Sequence, residues 1–114
     1  MPQPIARPLM VWLLVALTLA PLAPAQTTAA QITGIITDPT GAVVAGASVV
    51  ATNAATRVTR GTASNDVGNY TVPLLEPGRY TLTVKKTGFR PIERSGLTLH
   101  VNQTARIDFV MELG

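Results

Sequence analysis

Downstream of Gln31 no stretch of the chain keeps apolar residues at the 3.6-residue spacing of a helix. Apolar residues recur instead at every second position, in short runs cut by clusters of Gly, Pro, Asn and Asp. That pattern predicts half-buried strands joined by tight turns. The first strand expected is Gln31 to Thr37, with Ile32, Gly34 and Ile36 on one face, closed by the turn Asp38-Pro39-Thr40-Gly41. Gly46 precedes a second, Ala47 to Asn53. Arg57 to Ala63 is a third, polar on both faces. Asn65 to Asn69 is a tight connection in which Gly68 is free to take positive φ. Tyr70 to Leu74 follows, with Pro73 fitting an edge or a bulge. Glu76-Pro77-Gly78 turns into Arg79 to Lys85, where Tyr80, Leu82 and Val84 oppose Thr81, Thr83 and Lys85. Thr87-Gly88 ends that strand. Phe89 to Arg94 reads as an extended connection to a short strand, Leu97 to Val101. The last run, Thr104 to Leu113, puts Ala105, Ile107, Phe109 and Met111 on one face.

Seven strands with turns at intervals of about 8–12 residues predict an all-β, two-layer, Greek-key-like sandwich. Alternation leaves one face of each strand wet, as in antiparallel sheets that share a core. A domain near this size buries about 60% of its unfolded surface, enough to fold alone.

The first 25 residues read as an address. Arg7 gives a charged leader, Leu9 to Ala20 is apolar but for Thr18, and Pro21 breaks the run. Ala23-Pro24-Ala25 then offers small residues at the two positions a signal peptidase reads, so cleavage is expected before Gln26. The apolar run is shorter than the roughly 20 residues needed to span a bilayer. Residues 26–30 are a flexible lead-in, and 31–113 are the domain.

The chain has no Cys, which excludes disulfides and thiolate metal sites. Its excess of basic residues is small and scattered from Arg57 to Arg106, unlike the clustered footprint of a nucleic-acid binder. High apolar content with low charge is not the profile of a disordered chain.

Five pieces, in order, carry a family resemblance. They are Gly34-Ile35-Ile36-Thr37-Asp38 with Gly41, then Gly46-Ala47-Ser48-Val49, then Asn65-Asp66-Val67-Gly68-Asn69-Tyr70, then Leu75-Glu76-Pro77-Gly78-Arg79-Tyr80-Thr81-Leu82-Thr83-Val84, and last Gly88-Phe89. The chain over about residues 31–113 resembles the carboxypeptidase regulatory-like domain, also called prealbumin-like or transthyretin-like. Ala45 stands where that family often has Pro, and Asn65 where it usually has Thr or Ser. The resemblance implies an immunoglobulin/prealbumin-like sandwich whose motif residues, Gly34, Asp38, Gly41, Gly46, Asp66, Gly68, Pro77, Gly78, Tyr80 and Gly88, specify turns and packing and no reaction. It also implies a setting. Such domains stand beside metallocarboxypeptidase domains and at the N-termini of bacterial TonB-dependent outer-membrane receptors, directly after the signal peptide.

No catalytic constellation accompanies the fold. His100 is the only histidine, and a triad drawn from it, a serine such as Ser64 and an aspartate has no nucleophile elbow to support it. One histidine cannot build a typical zinc site. Asn65, Asp66 and Asn69 offer oxygens for Ca²⁺ but are also what a turn prefers. No cofactor is expected. Glycan contact would need exposed aromatics, and Tyr70 and Phe89 are the candidates, since Tyr80 and Phe109 alternate into the core.

The reading is a non-enzymatic, exported interaction or spacer module in the periplasm or at the outer membrane. A protein partner or adjoining receptor domain engages its sheet edges or loops, and the membrane is met only through an associated receptor. The alternative is a small carbohydrate-binding module.

Overall fold

A computed structural model describes residues 28–114. The expected signal segment, with Ala23, Ala25 and Gln26, lies outside the described residues. The rest is a sandwich of eight strands: β1 (Ala30–Thr37), β2 (Ser48–Asn53), β3 (Thr59–Ala63), β4 (Asn69–Leu75), β5 (Gly78–Lys85), β6 (Ile92–Leu99), β7 (Thr104–Arg106) and β8 (Phe109–Val110). One sheet runs β4-β1-β7, with β8 also paired to β1; the other runs β3-β2-β5-β6. The all-β, two-sheet class read from the alternation is the fold observed.

The inward faces of the strands make one core. Ile32, Ile36, Val49, Leu82, Val84 and Met111 are wholly buried in it. Each lies on the apolar side of an alternating run, and burying a side chain of this size contributes about 1.5–3 kcal/mol.

Strand count and pairing differ from expectation at the C-terminal end. The run from Thr104 to Leu113 is two short strands, and both lie parallel to β1. Between them the Ile35 amide donates to Asp108 Oδ1 at 2.9 Å, while the Ile107 amide donates to the Thr33 carbonyl at 2.8 Å. A carboxylate thus stands in for a main-chain acceptor, and the ladder is interrupted without leaving the Ile35 amide unsatisfied. Ala105, Ile107, Phe109 and Met111 stay buried through the break.

β6 is the second difference. It begins at Ile92, inside what reads as a connection, and ends at Leu99. As an edge strand it exposes Glu93 to Gly96 in succession, so no alternation marks it. Ser95 and Gly96 both oppose Thr81, a bulge in which Gly96 takes φ +74°.

Tyr70 overturns an expectation. Read as an exposed glycan contact, it is 2% exposed and lies in the core. It pairs with Gly34 on β1, and the missing side chain there makes room for its ring. A Cβ at Gly34 would stand 3.0 Å from Tyr70 Cε1 and 1.9 Å from the Ile107 carbonyl oxygen. The Tyr70 hydroxyl donates to that same carbonyl, and its ring centroid is 6.1 Å from that of Phe109.

Candidate functional surfaces

The turn residues sit where the chain reverses. Asp38 Oδ1 accepts from the Thr40 amide (2.9 Å), the Thr40 hydroxyl (2.6 Å) and the Ala42 amide (3.0 Å). The Thr40 hydroxyl, chiefly, holds its carboxyl below the usual carboxylate range. Gly41, Gly46, Gly68, Gly78 and Gly88 all have positive φ. In the 65–69 turn the acceptor is Asn65, not Asp66: Asn65 Oδ1 takes the amides of Val67 (3.1 Å) and Asn69 (2.9 Å). Pro77 is exposed beside Gly78, and Tyr80 donates its hydroxyl back to the Glu76 carbonyl at 2.7 Å.

The sandwich has two margins, and they differ. On the β6–β8 side Arg94 lies over the Phe109 ring, with Cζ 5.1 Å from the centroid. There Phe89 bridges to Leu113, and the Arg90 amide donates to the Glu112 carbonyl at 2.8 Å. These contacts cover the core at that margin, although the outer side of β6 has no strand partner among the described residues. At the β3–β4 margin β3 is likewise an edge strand, and every residue of it except Thr62 is exposed. On β4, Pro73 and Leu74 together oppose Gln31, a one-residue bulge. Leu74 takes φ +59° there and is 63% exposed. A bulky residue in the left-handed region is a strained exception. Val58, also exposed, and Arg60 line the same groove. Arg60 pairs with Ala51, so its side chain leaves on the core side of the sheet, over the margin.

The end of the sandwich at Lys85 carries a second concavity. An open cleft of about 440 Å³ is lined by Gly46, Lys85, Lys86, Thr87, Phe89 and Pro91. Phe89 is half-buried, packed against the core from below. Of the two aromatics expected at a glycan site, it alone faces a cleft.

The remaining candidates do not assemble. His100 is exposed just past β6, and its main-chain amide donates to Gln103 Oε1 at 2.8 Å. Ser64 is buried, its hydroxyl donating to the Val44 carbonyl (2.7 Å) and accepting from the Ala47 amide (2.9 Å), which is structural work. Among the described residues no group of three or more His, Cys, Asp or Glu is placed to hold a metal ion.

Sequence reasoning missed Leu74, Arg60 and the lysine pair as surface features. The Lys85-Lys86 doublet beside Gly88-Phe89 was a legible signal. The placement of Arg60 over β4 was not, because it depends on which sheet edges meet.

A family model described as the carboxypeptidase regulatory-like domain matches residues 31–112. The chain is also similar to the TonB-dependent transporter Oar of Myxococcus xanthus. Identity is 46% over 41 residues, which is 36% of this chain and 4% of the transporter. Among solved structures it resembles hydroxyquinol 1,2-dioxygenase from Pseudomonas putida DLL-E4, with a TM-score of 0.62 at 12% identity, covering 81% of this chain and 59% of that one. It likewise resembles a streptococcal ancillary pilin, with a TM-score of 0.58 at 15% identity, covering 78% of this chain and 34% of the pilin. At such identities the likeness is one of fold, and fold alone assigns neither a reaction nor a ligand.

Proposed function

The chain belongs to the carboxypeptidase regulatory-like domain family, and from that premise we propose that it acts as a non-catalytic, exported interaction and spacer module, the N-terminal extension of a TonB-dependent outer-membrane receptor. The observation that carries the reading is the β3–β4 margin, where the exposed edge strand β3 lies beside the exposed, left-handed Leu74. An exposed edge strand offers unpaired main-chain donors and acceptors to an incoming extended segment. Beside it, Leu74 and Val58 offer apolar contact. Arg60 discourages indiscriminate pairing, because charge on an edge strand is a common guard against aggregation. The spacer role is supported by the path of the chain. β1 starts at the end of the sandwich where Ala30 pairs with Leu75, and Leu113 meets Phe89 near the Lys85 end. Segments attached before and after the domain would leave from opposite ends.

The test is site-specific photocrosslinking in the periplasm from position 60 or 74, with Thr98 on the outer face of β6 as control. The expected result is an adduct with one envelope protein, or with the receptor's own following domain, that forms from the margin and not from Thr98. Equal labelling from all three positions would sink the reading.

A second reading, a small carbohydrate-binding module, is favoured by one observation: Phe89 lines an open cleft at the Lys85 end of the sandwich.

A further inference from the structure

Resting on that second reading, we infer that the Phe89 cleft is a site for an acidic saccharide, a pyranose chain bearing carboxylates. Phe89 and Pro91 lie under the ring, and Lys85 and Lys86 meet the carboxylate.

The lysines are the first argument. Among the described residues neither has a carboxylate within ion-pair distance. The neighbouring cation, Arg90, is engaged by Glu112 at 3.8 Å, which leaves the pair as the charge the cleft presents. No acidic residue lines the cleft. Lys86 is half-buried, and its Nζ lies 3.1 Å from where a Cβ on Gly46 would be. Gly46 takes φ +71°, so glycine serves that position twice, by allowing the turn and by leaving room for the ammonium. A half-buried lysine lining a cleft loses less freedom when an anion arrives than one free in solvent.

The aromatic floor is the second argument. Phe89 is fixed from below by the core, its amide donates to the Lys86 carbonyl at 3.0 Å, and it bridges to Leu113. The ring is therefore held before any ligand binds. Apolar surface beside two ammonium groups suits a ligand that has both an apolar face and a negative charge. The cleft is far larger than a lone inorganic anion and is open on one side. A ligand there keeps one face in water, as a saccharide with outward hydroxyls does, whereas a drug-like ligand is enclosed over most of its surface.

The experiment is calorimetric titration of the full chain at low salt with three probes. These are oligogalacturonate, the same oligomer fully methyl-esterified, and oligoglutamate of equal charge. Oligogalacturonate is expected to bind at least tenfold tighter than either of the others. Lys85→Gln and Lys86→Gln are each expected to weaken it severalfold at unchanged melting temperature. Methyl-esterified oligomer binding as tightly would overturn the acidic assignment and leave the carbohydrate reading standing. Oligoglutamate binding as tightly would reduce the site to polyanion attraction and overturn the saccharide. Affinity untouched by both lysine variants would overturn the location. No binding by any probe would overturn this inference, and the carbohydrate reading would then stand or fall on a screen of neutral glycans.

Discussion

Tyr70 donates its hydroxyl to the main-chain carbonyl of Ile107, and so ties edge strand β4 to the break between β7 and β8, across β1. Ile107 contributes that acceptor from a buried position. Tyr70→Phe keeps the ring and removes the donor, leaving the carbonyl short of a partner. The expected cost is about 1–2 kcal/mol, read as a lower urea midpoint at unchanged slope. An unchanged midpoint would mean the bond contributes nothing net.

The same tyrosine predicts an alkaline limit. Burial, chiefly, pushes its pKa up from 10.0 to about 12. The folded value lies above the unfolded one, so the contribution is complete below about pH 10 and fades as pH climbs towards 12. Stability should fall across that window, and Tyr70→Phe should flatten the fall. Parallel pH profiles for the two proteins would contradict the assignment.

Gly34 is constrained by approach and not by its backbone angle. A methyl group there would collide with the Ile107 carbonyl oxygen, which is main chain and cannot swing away. Gly34→Ala is expected to cost about 3 kcal/mol or more, or to prevent folding. A melting temperature within a few degrees of the parent would show that the segment between β7 and β8 can shift to make room.

How much of this was legible depended on where each strand lay. β5 is central in its sheet, and its alternation of Tyr80, Leu82 and Val84 announced both strand and core face. β6 lies at an edge with a bulge, so its outward run from Glu93 to Gly96 gave no period to read. The parallel pairing of β7 and β8 is a non-local fact that no local pattern encodes. Tyr70 was a misreading with a usable signal: it shares its face with Val72, and alternation alone sends both inward. The space that receives its ring is made by Gly34, on a strand more than thirty residues earlier. The β3–β4 margin was hidden for a similar reason. β3 reads as a weak polar strand, and that weakness is what makes it a free edge.

Leu74 separates fold from function. Its left-handed backbone costs about 1–2 kcal/mol relative to a residue at ease there. Leu74→Gly relieves that strain and adds roughly 1 kcal/mol of unfolded-state freedom in opposition. The melting temperature should hold or rise, while crosslinking from position 60 should drop severalfold because the apolar contact is gone. A clear loss of stability would show instead that the exposed leucine packs usefully within the domain.

Ser64 provides the sharpest stability test outside the strands. Its hydroxyl satisfies two buried main-chain groups at once, the Val44 carbonyl and the Ala47 amide, and so fastens the β1–β2 loop to the end of β3. The residue itself is 6% exposed, so water cannot readily replace it. Ser64→Ala removes one small polar group but strands two others, and a stranded buried group costs about 1–3 kcal/mol. The expected loss is therefore about 2 kcal/mol or more, larger than for a typical serine truncation. Faster amide exchange at Ala47 should accompany it, because that amide loses its acceptor. Ser64→Thr, which keeps the hydroxyl, should retain the slow exchange even where its extra methyl lowers the melting temperature. Slow exchange at Ala47 in Ser64→Ala would mean that another acceptor takes over, and that the main-chain bonds from the Gly46 amide to the Ser64 carbonyl and from the Ser64 amide to the Ala47 carbonyl are enough to hold the loop.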